Sequence, residues 1–247
     1  PGPGGREGRV RRLDDVRPRR AAGRGLRPPG ALSLARALSK FGVCSRREAE
    51  RWITAGRVTV NERLEPDPSR WIDPRSDRVG VDGRPVGEAT SRLVIAFHKP
   101  VGFLTTRVDP GGRPTVYDAL GDLGRWVFPV GRLDRDTSGL LVLTNDHRLG
   151  ERLTAPEHEV PKTYHVLVEG VPEPETLRAL REGLPLEDGV STRPARVRVL
   201  GSLRASTWLE IVLREGKNRQ VRRMCATVGP DVRQLVRVAI GRLTLDG

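Results

Sequence analysis

Leu140-Leu141-Val142-Leu143 is an unbroken apolar run, closed by Thr144-Asn145-Asp146 and preceded by the polar stretch Gly131 to Gly139. Four apolar residues between turn formers read as a buried strand. The stretch in front of it places two carboxylates (Asp134, Asp136), two arginines (Arg132, Arg135) and two hydroxyls (Thr137, Ser138) on one short loop. A loop pinned by a buried strand can hold an acid in a fixed place. The same composition also suits a solvated turn leading into a core strand, so the rest of the chain has to decide between the two.

The chain has 247 residues and a net charge of +13, carried almost wholly by arginine; Lys40, Lys99, Lys162 and Lys217 are its lysines. Arginine binds phosphate through two parallel hydrogen bonds and stacks on bases, so this balance points to a nucleic-acid partner. Codon bias could favour arginine over lysine, but it does not account for the excess of positive over negative charge. Cys44 and Cys225 fit no metal spacing and cannot build a disulfide framework, which suits a reducing cytoplasm. No apolar run reaches the length of a membrane span, and Pro1 to Gly30 is charged and Gly/Pro-rich, unlike a secretory signal.

Residues 1 to 31 show no apolar periodicity and read as a disordered basic tail, either adding unspecific phosphate attraction or inert. Leu34, Leu38 and Phe41 then recur at helical spacing up to Gly42, and Ser45-Arg46-Arg47-Glu48 has the pattern of a capping box opening a second helix. Val58/Val60 and Val79/Val81 alternate as short strands, with turns at Asn61-Glu62 and Asp82-Gly83. Residues 32 to 90 thus form a small module with Arg46, Arg47 and Arg51 on its second helix. These arginines either contact RNA or merely solvate the helix. Glu88 to Arg92 reads as a linker.

The second domain, residues 91 to 247, opens with a strand at Leu93 to Phe97. Turns follow at Lys99-Pro100-Val101-Gly102 and Val108 to Pro114. Helices are expected at Leu149 to Thr154 and Glu173 to Arg181, the latter turning Leu177 and Leu180 inward. Strands are expected from Tyr164, at Val197 and Val199, at Trp208 to Leu213 and within Val236 to Leu245. Many strands with interspersed helices and no strict alternation predict an α+β domain.

Rival sites fail on their own terms. The sequence contains no Walker A loop, Gly-x-Ser-x-Gly or His-Glu-x-x-His, and its histidines, at 98, 147, 158 and 165, are scattered. Asp136-Thr137-Ser138-Gly139 has one residue too many for an aspartic-protease motif and no second copy.

Gly131-Arg132-Leu133-Asp134, with the Asp136-Thr137-Ser138-Gly139-Leu140-Leu141 that follows, resembles the active-site motif of the pseudouridine synthases that modify single uridines of ribosomal RNA. Lys-Pro-Val-Gly at 99, Gly-Arg-Pro-Thr at 112 and Glu-Gly-Lys-Asn-Arg-Gln-Val-Arg-Arg-Met at 215 resemble the same branch. Residues 32 to 90 resemble an S4 RNA-binding domain, on the wording of Ser45 to Ala49 and of Gly56 to Asn61. The resemblance spans residues 32 to 245. His147 stands where glycine is usual, and Pro230-Asp231 replaces a Gly-His-like turn ending.

The resemblance implies a small S4-type αα-β module followed by a mixed, mainly antiparallel sheet. It implies Asp134 as the catalytic carboxylate, attacking the base, attacking C1′ or taking a sugar proton. A cation would keep that acid ionised by lowering its pKa: Arg222 by resemblance, with Arg219 as the fallback. Tyr164 would lie against the flipped base, and Arg132 would enter the vacated helix or clamp a phosphate. Lys162, Lys217 and Asn218 would contact the backbone. No metal or cofactor is implied, because the isomerisation neither adds nor removes atoms. The implied partner is ribosomal RNA or a pre-ribosomal particle, with large-subunit RNA preferred on Pro161-Lys162-Thr163-Tyr164 and the basic tail. The implied protein is a cytoplasmic monomer. The alternative is a non-catalytic S4-type RNA-binding or ribosome-assembly factor, which would have no need of Asp134 beside Thr137-Ser138-Gly139.

Overall fold

The computed structural model describes residues 29 to 87 and 92 to 245. Most of the expected tail and all but Arg92 of the expected linker lie outside the described residues. Ala31, grouped with the tail on composition, is buried at 3% exposure, so the ordered module begins at least one residue earlier than expected.

The N-terminal module runs β1 (Leu32–Ser33), α1 (Leu34–Lys40), α2 (Arg46–Thr54), β2 (Val58–Val60), β3 (Arg63–Leu64), β4 (Trp71–Ile72), β5 (Val79–Val81) and β6 (Arg84–Val86). The Ser45 hydroxyl accepts from the Glu48 amide at 3.2 Å and so starts α2. Leu34, Leu38, Ala49, Ile53, Val58 and Ile72 close a core made only of this module's residues. Complete burial of each large aliphatic side chain contributes about 1.5–3 kcal/mol. Both turns close two-residue hairpins with left-handed backbone: Asn61 and Glu62 have φ 52° and 67°, Asp82 and Gly83 49° and 75°. The returning strands β3 and β6 carry too few apolar residues to be seen in sequence.

The second domain continues with β7 (Val94–Lys99), α3 (Val116–Leu120), β8 (Phe128–Val130), β9 (Ser138–Thr144), α4 (His147–Thr154), β10 (Lys162–Glu169), α5 (Pro174–Glu182), β11 (Arg196–Leu203), β12 (Ser206–Leu213), α6 (Gln220–Val228), β13 (Val232–Ile240) and β14 (Leu243–Thr244). One sheet orders these strands β11-β12-β10-β13-β9-β7, with β14 on β13 and β8 on β9. Every pairing is antiparallel except β9 with β13. The expected mixed, mainly antiparallel α+β domain is what forms.

All seven residues of β9 are buried, as the apolar run demands. β9 lies between β13 and β7, and its side chains enter two separate clusters. Helices α5 and α6 supply Leu180, Val221, Met224 and Cys225 to a third cluster with Val166, Leu209 and Ile211. Three expectations shift. β7 starts one residue later and runs through Lys99. Helix α4 starts at His147, because the Asp146 carboxylate caps it by accepting from the Arg148 and Leu149 amides. Val197 and Val199 lie in β11 as expected, but the strand runs on to Leu203 and Val199 is 43% exposed beside a register shift. Cys44 and Cys225 are both buried free thiols, pushed up to about 12 chiefly by burial.

The two domains touch through His147, whose Nε2 lies 2.9 Å from the Ser39 carbonyl oxygen while its ring stacks on Phe128 at 4.3 Å. Burial lowers the pKa of this imidazole.

Candidate active site

The loop between β8 and β9 is held from several sides. Leu133 is buried against Leu141 and Leu143. The Thr105 hydroxyl donates to the Leu133 carbonyl at 2.7 Å and accepts from the Leu133 amide at 3.2 Å. The Gly102 amide, in the Lys-Pro-Val-Gly turn, donates to the Arg135 carbonyl at 2.7 Å. The loop itself turns through the Thr137 amide, which donates to the Asp134 carbonyl at 3.1 Å. These bonds fix the backbone on both sides of Asp134 and leave its side chain 32% exposed.

Asp134 opens into a cleft of about 610 Å³ that is also lined by Arg132, Lys162, Tyr164, Lys217, Asn218 and Arg219. Residues from the β9 loop, from β10 and from the segment ahead of α6 therefore converge, as the resemblance implies. Tyr164 is half-buried between two core clusters, which restricts its ring while leaving it on the cleft wall. Burial and the nearby charge of Arg237 lower the Lys162 pKa. The Lys217 ammonium donates to the Ser191 carbonyl at 3.1 Å and pairs with Glu215 at 3.2 Å. Arg46, Arg47 and Arg51 stand exposed on α2 and do not line the cleft; Arg46 pairs with Glu50 at 3.3 Å.

The cation nearest the acid is the expected fallback, Arg219, rather than Arg222. Arg222 is not seated on Asp134. Its Nε lies 3.1 Å from Asp136 Oδ2, its Nη2 donates to the Asp136 backbone carbonyl at 2.8 Å, and its Nη1 donates to the Val232 carbonyl at 3.2 Å. Arg219 grips the Asp136 carboxylate through both nitrogens, at 3.1 and 2.9 Å, and comes within 3.9 Å of Asp134 Oδ2. The tight turn at Asp134 to Thr137 presents Asp136 toward α6, so the helix arginine meets that residue instead. Burial pushes the Asp136 carboxyl up, but the bonds and charges of Arg219 and Arg222 outweigh it and hold the pKa below the usual range.

Two further cations stand at this loop: Lys99, quoted above only as part of the Lys-Pro-Val-Gly wording, and Arg237, which lies in none of the quoted motifs. Lys99, at the end of β7, is 0% exposed; its ammonium donates to the Thr137 carbonyl at 2.7 Å and to the Pro100 carbonyl at 2.9 Å. Burial lowers its pKa to about 8, against the opposing charges of Asp134 and Asp136. Arg237 is 4% exposed and lines the cleft from β13. Its sequence signal is parity: Leu235 and Arg237 share the inward face of a strand.

No group of three or more His, Cys, Asp or Glu among the described residues could hold a metal ion. No helix there is long and apolar enough to cross a membrane.

Asp134 thus shares one cleft with Arg132, Arg219 and Tyr164 on a mixed sheet, and comparison with known proteins gives the class of enzyme to which this fold belongs. The RNA pseudouridylate synthase family model matches residues 93–227, and an S4 domain model matches residues 33–74. The chain belongs to the RNA pseudouridylate synthase family. It is 41% identical over 209 residues to an uncharacterized RNA pseudouridine synthase of Aquifex aeolicus, covering 84% of this chain and 83% of that one. It is 37% identical over 216 residues to the ribosomal large subunit pseudouridine synthase B of Bacillus subtilis, covering 87% of each. A pseudouridylate synthase crystal structure superposes with a TM-score of 0.61 at 29% identity, over 87% of this chain and 91% of that one. The protein is a pseudouridine synthase acting on RNA, with an N-terminal S4 domain.

Proposed function

We propose that this enzyme isomerises a specific uridine of ribosomal RNA, of the large subunit in preference to the small, with Asp134 as its catalytic carboxylate. The observation that carries the reading is the meeting of Asp134, Tyr164 and Arg219 in one cleft of about 610 Å³, a size suited to one extruded nucleotide. The large-subunit preference is supported by the name of the Bacillus subtilis relative and by the wording of Pro161 to Tyr164. On this reading the protein works as a cytoplasmic monomer on ribosomal RNA or a pre-ribosomal particle.

The target uridine leaves its stack at a cost of a few kcal/mol. The Tyr164 ring takes over stacking of the base, worth about 1–3 kcal/mol. Arg132 occupies the vacated helix or holds a phosphate, while Lys162, Lys217 and Asn218 hold the backbone. Asp134 acts on the sugar or the base. The C1′–N1 bond breaks, the base turns, C1′ joins C5, and the proton displaced from C5 is balanced by one gained at N1. Arg219 and Arg222 fix Asp136 and thereby the turn that carries Asp134. The test is pseudouridine formation on large- and small-subunit ribosomal RNA transcripts with no cofactor added, together with maps of cellular ribosomal RNA with and without the gene. Loss confined to a small-subunit site would overturn the large-subunit preference.

The S4 domain supplies positioning contacts from the exposed arginines of α2. Removing residues 1 to 90 is expected to leave the catalytic domain folded, because each domain closes its own core. Binding to the same RNA hairpin is expected to weaken. If Arg46, Arg47 and Arg51 each touch a phosphate, the log–log dependence of affinity on salt flattens by roughly 2 to 3 units, at about 0.7–0.9 per contact. Coincident slopes for the full and truncated chains would show that this module does not touch that RNA.

A further inference from the structure

The parallel pairing of β9 with β13 holds at two positions, Ser138 with Val236 and Gly139 with Arg237. From there the Arg237 side chain extends the contact. Its Nε donates to the Leu140 carbonyl at 2.7 Å, and its Nη1 reaches the Arg132 carbonyl at 3.5 Å. One guanidinium thus spans the loop that carries Asp134, touching a residue on each side of it. On its other edge β13 pairs with β10, and there Arg237 stands opposite Tyr164. Arg237 therefore joins the strand that holds the tyrosine to the loop that holds the acid.

The residue is a costly choice for stability alone. It is 4% exposed, its named partners are backbone carbonyls, and its Nη2 has no hydrogen-bond partner within the protein. An apolar side chain at this inward position would avoid burying a charge. We propose that Arg237 is a positioning residue for the isomerisation, fixing the distance between the Asp134 carboxylate and the Tyr164 ring. The role needs arginine: a planar fork reaches two carbonyls on different sides, whereas a lysine keeps the charge and reaches one. The inference rests on Asp134 as the catalytic carboxylate and does not depend on which RNA is the natural substrate.

The experiment compares full-length Arg237→Lys, Arg237→Gln and Asp134→Asn with the native chain, on an RNA transcript that the native chain modifies. Melting temperature, RNA Kd and the single-turnover rate constant at saturating RNA are measured for each. A misplacement of about 1 Å can cost on the order of 10²-fold in rate. R237K is expected to fold, to bind RNA within about threefold of the native Kd, and to lose about 30- to 100-fold in rate constant, with R237Q at least as impaired. A merely structural loss would lower the folded fraction and the reaction amplitude, leaving the rate constant of the folded molecules unchanged. A native rate constant in folded R237K, a defect confined to Kd, or failure of both Arg237 variants to fold would overturn the proposal. An active D134N beside an impaired R237K would overturn the Asp134 reading; an inactive D134N beside an unimpaired R237K would overturn this one.

Discussion

Asp134→Asn is expected to abolish pseudouridine formation while the chain still binds RNA. The amide keeps the shape of the carboxylate but can serve neither as an anionic nucleophile nor as a base, so the single-turnover rate should fall by about 10³-fold or more, the scale seen when a group essential to catalysis is removed. Phosphate contacts carry most of the affinity, so Kd should stay within about threefold. Folding should be spared as well. Asp134 is a third exposed, and its nearest arginine, Arg219 at 3.9 Å, is already held by the Asp136 carboxylate at 2.9 Å. The loop therefore keeps its anchor when the Asp134 charge is lost. Asp136→Asn is the informative contrast, because it loosens Arg219 and Arg222 together and should reduce the rate through loop position. The measurements are tritium release from C5 of the target uridine and a filter-binding isotherm on the same transcript. Turnover by D134N near the native rate would remove Asp134 from its role, whatever the fold suggests.

The parts of this site legible in sequence are those set by local pattern. The Leu140 to Leu143 run, bounded by turn formers, reads as a buried strand, and that places the acid-bearing loop directly in front of it. The alternation after Tyr164 likewise puts its ring on one face of β10. The pairing of arginine with acid is not legible in this way. Arg219 and Arg222 both lie within reach of a loop more than eighty residues away in sequence. Which of them meets Asp134 depends on a left-handed residue, Arg219 at φ 48°, just ahead of α6 and on the turn that points Asp136 at that helix. Neither feature has a sequence signal, since positive φ is uncommon for a non-glycine residue and arginine is not among the types, Asn, Asp and His, that favour it. The burial of Lys99, a residue the Lys-Pro-Val-Gly wording includes, and of Arg237, which no quoted motif includes, is illegible for a different reason. Charged residues are assigned to surfaces by default, and only strand parity, Leu235 with Arg237, marks one of them as inward. The turns at Asn61-Glu62 and Asp82-Gly83 are legible, but the returning strands β3 and β6 are not, because two or three mostly exposed residues carry no periodicity.

Gly139→Ala tests how the strand and the loop depend on one another. Gly139 sits at φ 108°, and a Cβ built on it would lie 2.2 Å from the Arg237 carbonyl oxygen and 2.6 Å from the Arg237 amide nitrogen. Both are backbone atoms of β13, so no side chain can swing aside; the strands themselves must part. Strained backbone costs on the order of 1–3 kcal/mol, and overpacking a similar amount. The sum, about 2–6 kcal/mol, is a large fraction of the roughly 5–15 kcal/mol that stabilises a typical protein. For a chain of this size that corresponds to a melting temperature lower by roughly 5–20 °C. Gly201→Ala is the control: nothing lies within 4 Å of the place a Cβ would take there, and its φ is not positive, so its melting point should stay within about 2 °C of native. The separation of β9 from β13 would also move the Arg237 guanidinium away from the Arg132 and Leu140 carbonyls. Folded Gly139→Ala molecules, assayed well below their melting point, should therefore turn over more slowly than native at unchanged RNA affinity. A melting temperature within about 2 °C of native for Gly139→Ala would mean that β13 can yield there at little cost, and that the close approach of the two strands does not hold the acid in place.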